Sequence, residues 1–89
     1  MPLFYIIITT NNKNKTVKYG KQLWFILDIK SNCIHCLTHD NYLTKIQSKQ
    51  NSIQSIAIYD DKLILAYNEL SVEIIDLDNY FDRTIISAV

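Results

Sequence analysis

The apolar and polar residues of this 89-residue chain follow mainly the two-residue period of β-strands. Residues 3–9 are uncharged and largely apolar, the pattern of a strand covered on both faces. A polar stretch over 11–21, holding the only glycine, Gly20, reads as a loop. Residues 22–29 then alternate, with Leu23, Phe25, Leu27 and Ile29 on one face and Trp24, Ile26 and Asp28 on the other. Lys30, Ser31 and Asn32 mark a turn, and residues 33–38 a third strand. His39, Asp40 and Asn41 mark another turn, because Asp and Asn side chains bond the nearby backbone and tolerate unusual dihedrals.

Residues 41–50 fit a strand through Tyr42, Thr44 and Ile46 and a helix through Tyr42, Leu43 and Ile46; we favour the strand. Segments 53–59, 62–67 and 70–76, punctuated by Asp60-Asp61 and Asn68-Glu69, predict an antiparallel meander. In its last member Leu70, Val72 and Ile74 are expected to face in, and Ser71 and Glu73 out. The tail combines helical spacing (Leu77, Tyr80, Phe81, Ile85, Ala88) with a strand-forming Thr84-Ile85-Ile86, which predicts a short helical turn at 78–82 and then a final strand. The fold class is therefore mainly β: one small antiparallel sheet or barrel of about seven to eight short strands in two meanders, with a short helix near the C-terminus.

An internal repeat emerges at an offset of 30 residues, which aligns Ile34 with Ile64, Cys36 with Ala66, Leu37 with Tyr67 and Tyr42 with Val72. The rhythm is similar to the spacing of β-propeller blades. The Gly-His and Trp-Asp signatures of the best-known propeller repeat are missing, so no family is assigned. Two blades cannot close a propeller alone, and that reading requires several chains.

Size and composition narrow the picture. A chain of this length makes one domain, burying only about 60–65% of the surface its unfolded form exposes. Apolar residues make up 48%, and 15 isoleucines suit a pleated sheet, which argues against disorder. No run approaches the roughly 18–20 apolar residues that span a bilayer, so no membrane contact is expected. The N-terminal apolar run lacks a basic segment before it and a small-residue cleavage site after it, and reads as a strand rather than a signal peptide. Two cysteines, Cys33 and Cys36, are too few and too close for a disulfide framework, which favours a reducing, cytoplasmic setting.

The formal net charge of zero conceals segregation: residues 1–50 carry seven Lys against two Asp, and residues 51–89 carry Lys62 and Arg83 against seven acids. Such a dipolar surface steers partners of opposite charge. Lys13, Lys15, Lys18 and Lys21, with Tyr19 among them and Trp24 just beyond, have the composition of a single-strand nucleic-acid platform, where Lys meets phosphate and bases stack on rings. Glu73, Asp76, Asp78 and Asp82 form an acidic counterpart. They lack the glycine of a calcium loop, and read as a solvated edge or as a mimic of a nucleic-acid backbone.

One glycine excludes a Walker A loop and a G-x-G-x-x-G turn, and no G-x-S-x-G elbow is present. The Cys33-x-x-Cys36 spacing with His35 and His39 suggests zinc, but an extended strand points Cys33 and Cys36 to opposite faces and no second pair closes the site. Cys33, His35 and Asp28 are the one candidate catalytic centre. The favoured reading is a non-enzymatic binding protein without metal or cofactor. It acts through protein–protein contacts as an inhibitor or assembly subunit and is homo-oligomeric, with residues 3–9 expected either at the centre of a sheet or against a second subunit. The alternative is a nucleic-acid binder using loop 11–21.

Overall fold

The computed structural model describes residues 15–50, 52–68, 70–79 and 81–87. Eight strands run in order: β1 (Lys15–Tyr19), β2 (Leu23–Asp28), β3 (Cys33–Leu37), β4 (Tyr42–Gln47), β5 (Ile53–Tyr59), β6 (Lys62–Tyr67), β7 (Ser71–Asp76) and β8 (Asp82–Ser87). They form two four-stranded antiparallel meanders, β1-β2-β3-β4 and β5-β6-β7-β8, and not a closed barrel. Residues 3–9, expected as a buried strand, lie outside the described residues. Residues 11–21 are not all loop: β1 occupies most of the second half, with Val17 opposite Phe25 and Tyr19 opposite Leu23. Lys15 and Lys18, three positions apart and so on opposite faces, disguised that strand by breaking the alternation of apolar and polar residues.

Short turns set the register. Asp60 and Asp61 connect Tyr59 to Lys62 and both adopt positive φ, 50° and 60°, the conformation that a two-residue hairpin matched to strand twist demands. Gly20 turns β1 into β2 at φ 65°. The helical turn expected at 78–82 is replaced by two tight turns, Asn79 N–H to Asp76 C=O and Asp82 N–H to Asn79 C=O, with Phe81 at φ 59°. A left-handed Phe81 cannot continue a helix, and its ring instead packs toward Phe25. Among the described residues there is no helix, and so none long and apolar enough to cross a membrane.

Leu70 is 71% exposed and sits at φ 55°, where a side chain crowds its own backbone without compensating burial. Leu70→Gly is expected to stabilise the fold by about 1 kcal/mol. Chemical denaturation checks this through a raised midpoint at unchanged slope.

The two meanders are structural repeats, but not at an offset of 30. Equivalent strands begin at 15 and 53, 23 and 62, 33 and 71, and 42 and 82. Register makes the match residue by residue: the pairs Phe25–Cys36, Leu27–Ile34, Cys36–Thr44 and Ile34–Ile46 of the first sheet correspond to Ile64–Ile74, Ala66–Val72, Ile74–Thr84 and Val72–Ile86 of the second. The spacing of 38–40 varies because the turns differ in length, and a fixed offset finds only chance matches.

One face of each sheet meets the other in a single core. The first sheet contributes Phe25, Leu27, Ile34, Cys36 and Ile46, and the second Ile53, Ile56, Leu63, Leu65, Tyr67 and Ile75. The assignment of faces in β7 is the reverse of the expectation: Ser71, Glu73 and Ile75 are buried, Val72 and Ile74 lie on the opposite face, and Leu70 is exposed. Burying the carboxylate is tolerated because β6 and β8 supply its partners.

Candidate functional site

The repeat places two polar clusters at matching points. Ile26 opposes His35 in the first sheet as Leu65 opposes Glu73 in the second, and Leu37 opposes Tyr42 as Ile75 opposes Arg83. Each cluster therefore takes one side chain from the end of its second strand, one from the middle of its third and one from the start of its fourth.

In the second sheet these are Tyr67, Glu73 and Arg83. Glu73 is fully buried, accepts from the Tyr67 hydroxyl, and is gripped by the Arg83 guanidinium through Nε and through Nη2 at 2.9 Å. A second bond from Arg83 Nη2 reaches the Gln47 carbonyl at 2.9 Å and joins β8 to β4. Burial pushes the Glu73 carboxyl up, but the bonds from Arg83 and Tyr67 outweigh it and hold the acid below its ordinary range. Tyr67 is raised, by burial and by its bond to Glu73.

The first sheet gathers Asp28, Cys33, His35 and Tyr42. His35 Nε2 lies 3.1 Å from Asp28 Oδ2 and 3.8 Å from Cys33 Sγ, and Nδ1 lies 2.7 Å from the Tyr42 oxygen. Asp28 Oδ1 accepts from Ser31 N–H at 3.2 Å. For Asp28 burial acts upward, and the bonds from His35 and Ser31 prevail and lower its pKa. The Cys33 thiol is raised, by burial and then by the Asp28 carboxylate, with Lys45 partly offsetting them.

This cluster brings together the three residues of the candidate catalytic centre, in an order unsuited to a nucleophile relay. A relay needs the thiol and the carboxylate on different imidazole nitrogens. Here both share Nε2, and the thiol is 1% exposed with its thiolate disfavoured. Cys36 lies on the other face, inside the core, where burial pushes its thiol up to about 11. Cys33 and Cys36 therefore cannot share a metal.

The basic and acidic residues singled out in the sequence do not form one surface. Lys13 lies outside the described residues. Lys15 Nζ donates to the Gln54 carbonyl at 3.3 Å, and Lys18 Nζ sits 4.9 Å over the Trp24 ring. Tyr19 donates to Asp61 Oδ1 at 2.9 Å, and that bond, foremost among acidic neighbours that include Asp76 and Asp78, raises its pKa. The two charge-biased halves thus meet along β1 and the β5–β6 turn. Lys18, Lys21 and Trp24 share an open cleft of about 500 Å³ with His39 and Asp40. Asp78 and Asp82 are exposed and Asp76 half-buried, whereas Glu73 is withdrawn from any surface.

Sequence reasoning missed Tyr42, Tyr67 and Arg83. The available signal was the uniqueness of Arg83 and the tyrosine closing an otherwise apolar β6, both of which need partners when buried.

The face of the second sheet turned away from the core carries Ala57, Ile64, Ala66, Val72, Ile74 and Ile86. The four in β6 and β7 are half-buried and Ile86 is 54% exposed. No family model, curated protein or solved structure matches the chain.

Proposed function

We propose that the protein is a non-enzymatic binding module that works through the open face of the second sheet, and that a second copy of the chain occupies it. The observation that carries this reading is the repeat itself. Ile64, Ala66, Val72, Ile74 and Ile86 stand where Phe25, Leu27, Ile34, Cys36 and Ile46 stand in the first sheet, and there a second sheet covers them. A face of the same make-up left open is a contiguous apolar patch of the kind that marks interfaces. Ile26, Cys33 and Leu37 on the outer face of the first sheet are already buried, so the open face of the second sheet is the better docking surface.

A two-fold axis lying in the interface plane, perpendicular to the strands, closes such a contact in one step. It sets the Asp76–Asp82 end of one copy over the Ser55 and Ile86 end of the other, which keeps the acidic rims apart. Assembly subunits and inhibitors share this mode of action. Light scattering at about 100 µM, well above the micromolar range of modest interfaces, is expected to give a dimer mass. Val72→Lys should give a monomer with unchanged circular dichroism, because Val72 does not enter the core. A monomeric parent would overturn the proposal.

The lesser reading, a nucleic-acid surface, rests on the cleft that combines Lys18, Lys21 and Trp24. Its test is single-stranded DNA and RNA binding over a salt series, with Lys13, Lys15, Lys18 and Lys21 changed together to Gln. A phosphate-tracking surface would lose up to about 0.7 of salt slope per lost contact.

A further inference from the structure

We propose that Asp28 Oδ2, Cys33 Sγ and His35 Nε2 form a site for one divalent transition metal ion, zinc by donor type. These three atoms lie within 4.8 Å of one another, on two adjacent strands. Zinc bond lengths in a tetrahedron put neighbouring nitrogen and oxygen donors about 3.4 Å apart and nitrogen and sulfur donors about 3.6 Å apart. Measured from Nε2, the separations of 3.1 Å to Oδ2 and 3.8 Å to Sγ need adjustments of only a few tenths of an ångström, while the oxygen and sulfur, within 4.8 Å of each other, must close further around the ion.

The atoms not offered to the ion are tied elsewhere. Asp28 Oδ1 is held by Ser31 N–H and His35 Nδ1 by Tyr42, while Oδ2, Nε2 and the sulfur lie together. A ligating imidazole oriented through its other nitrogen is the usual outer-shell arrangement of protein metal sites. Soft sulfur beside imidazole and carboxylate selects zinc over calcium or magnesium.

The second sheet supplies an internal comparison. At the matching cluster, Glu73 faces the Arg83 guanidinium, so a cation already belongs to that architecture. In the first sheet Tyr42 takes the place of Arg83, and three metal-ligating groups converge instead. The metal pair suggested by sequence spacing, Cys33 with Cys36, is thereby replaced by Cys33 with Asp28 and His35. Proton accounting is simple. Binding converts the Cys33 thiol to thiolate and releases one proton, while a neutral His35 moves its proton from Nε2 to Nδ1, where it donates to the Tyr42 oxygen.

Cobalt(II) is the probe. Titration of the reduced protein at pH 8 is expected to give one equivalent per chain, thiolate-to-cobalt charge-transfer absorption, tetrahedral d–d bands and about one proton released, with zinc displacing the cobalt. Cys33→Ala and His35→Gln should abolish the bands, whereas Cys36→Ala and His39→Ala should keep them. Tyr42→Phe should weaken binding by about 10–100-fold. Circular dichroism identifies variants that fail to fold, and proton release by the parent needs no variant. No charge-transfer band in the parent with excess cobalt, or an unchanged band in folded Cys33→Ala, would overturn the site and leave a hydrogen-bonded cluster like that of Glu73.

Discussion

Replacing Arg83 by Met is expected to cost about 3–5 kcal/mol, enough to leave much of the protein unfolded at room temperature. The methionine fills similar volume but leaves the Glu73 carboxylate without its counter-ion at a fully buried position, and removes the bond from β8 to the Gln47 carbonyl. Tyr67 alone cannot compensate a buried charge. Arg83→Lys should recover only part of the loss, because an ammonium cannot span both carboxylate oxygens and the carbonyl as the guanidinium does. The double variant Glu73→Leu, Arg83→Met should be far more stable than Arg83→Met alone, since it removes the orphaned charge together with its partner. Urea unfolding of the four proteins tests this; equal stability of Arg83→Met and the parent would show the pair to be inert.

The same pair fixes an acid limit. Glu73 has a lower pKa folded than unfolded, so its contribution is fully present above the unfolded carboxyl value, about 4.3, and is lost as pH falls through the lower folded value. Asp28 shifts in the same direction and adds to the slope. Glu73→Gln should be less stable than the parent at pH 7 and show a shallower loss of stability on acidification.

Much of the fold was legible because its strands are short, turn-punctuated and β-branched. β2, β3, β5, β6 and β7 fall within one or two residues of their expected limits, and the Asp60-Asp61 turn was visible as two residues suited to positive φ. β4 was resolved correctly from an ambiguous segment. The failures have definite causes. β1 was masked by its lysines. The face of β7 was misread because both faces of that strand carry apolar residues, and the deciding fact, an arginine ten residues downstream at Arg83, is a long-range partner that alternation cannot register. The repeat was sensed but mis-spaced, since only hydrogen-bond register shows Ile34 matching Val72 and Thr44 matching Thr84.

The candidate site was legible only in part. Cys33, His35 and Asp28 were recognisable as a group because a strand places Cys33 and His35 on one face and the preceding strand returns Asp28 beside them. Tyr42 reads only as a strand position, and nothing local announces that a residue seven positions on will hold the His35 ring. Lys15, Lys18 and Tyr19 read as part of a polar loop with the composition of a nucleic-acid platform. The contacts of Lys15 with Gln54 and of Tyr19 with Asp61 depend on how the two sheets stack, which the periodicity of either sheet alone does not encode, whereas Lys18 meets Trp24 as its cross-strand partner in the same sheet.

Truncating Phe25 to Ala is expected to cost about 3–5 kcal/mol. The ring is fully buried at the centre of the inter-sheet core, opposite Cys36 and Val17 and with its centroid 6.3 Å from that of Phe81. Ile64, its equivalent in the second sheet, provides the internal control, because it presents the same register position to an open face. In dilute solution Ile64→Ala should cost far less, since a half-exposed side chain forfeits little transfer energy. If a second copy covers that face, the cost of Ile64→Ala rises with protein concentration, as binding to the native state adds to apparent stability by mass action, while the cost of Phe25→Ala stays constant. Thermal unfolding of both variants from about 1 to 100 µM, spanning the modest-affinity range, separates the permanent interface from the reversible one. A concentration-independent Ile64→Ala would place the open face outside any self-contact.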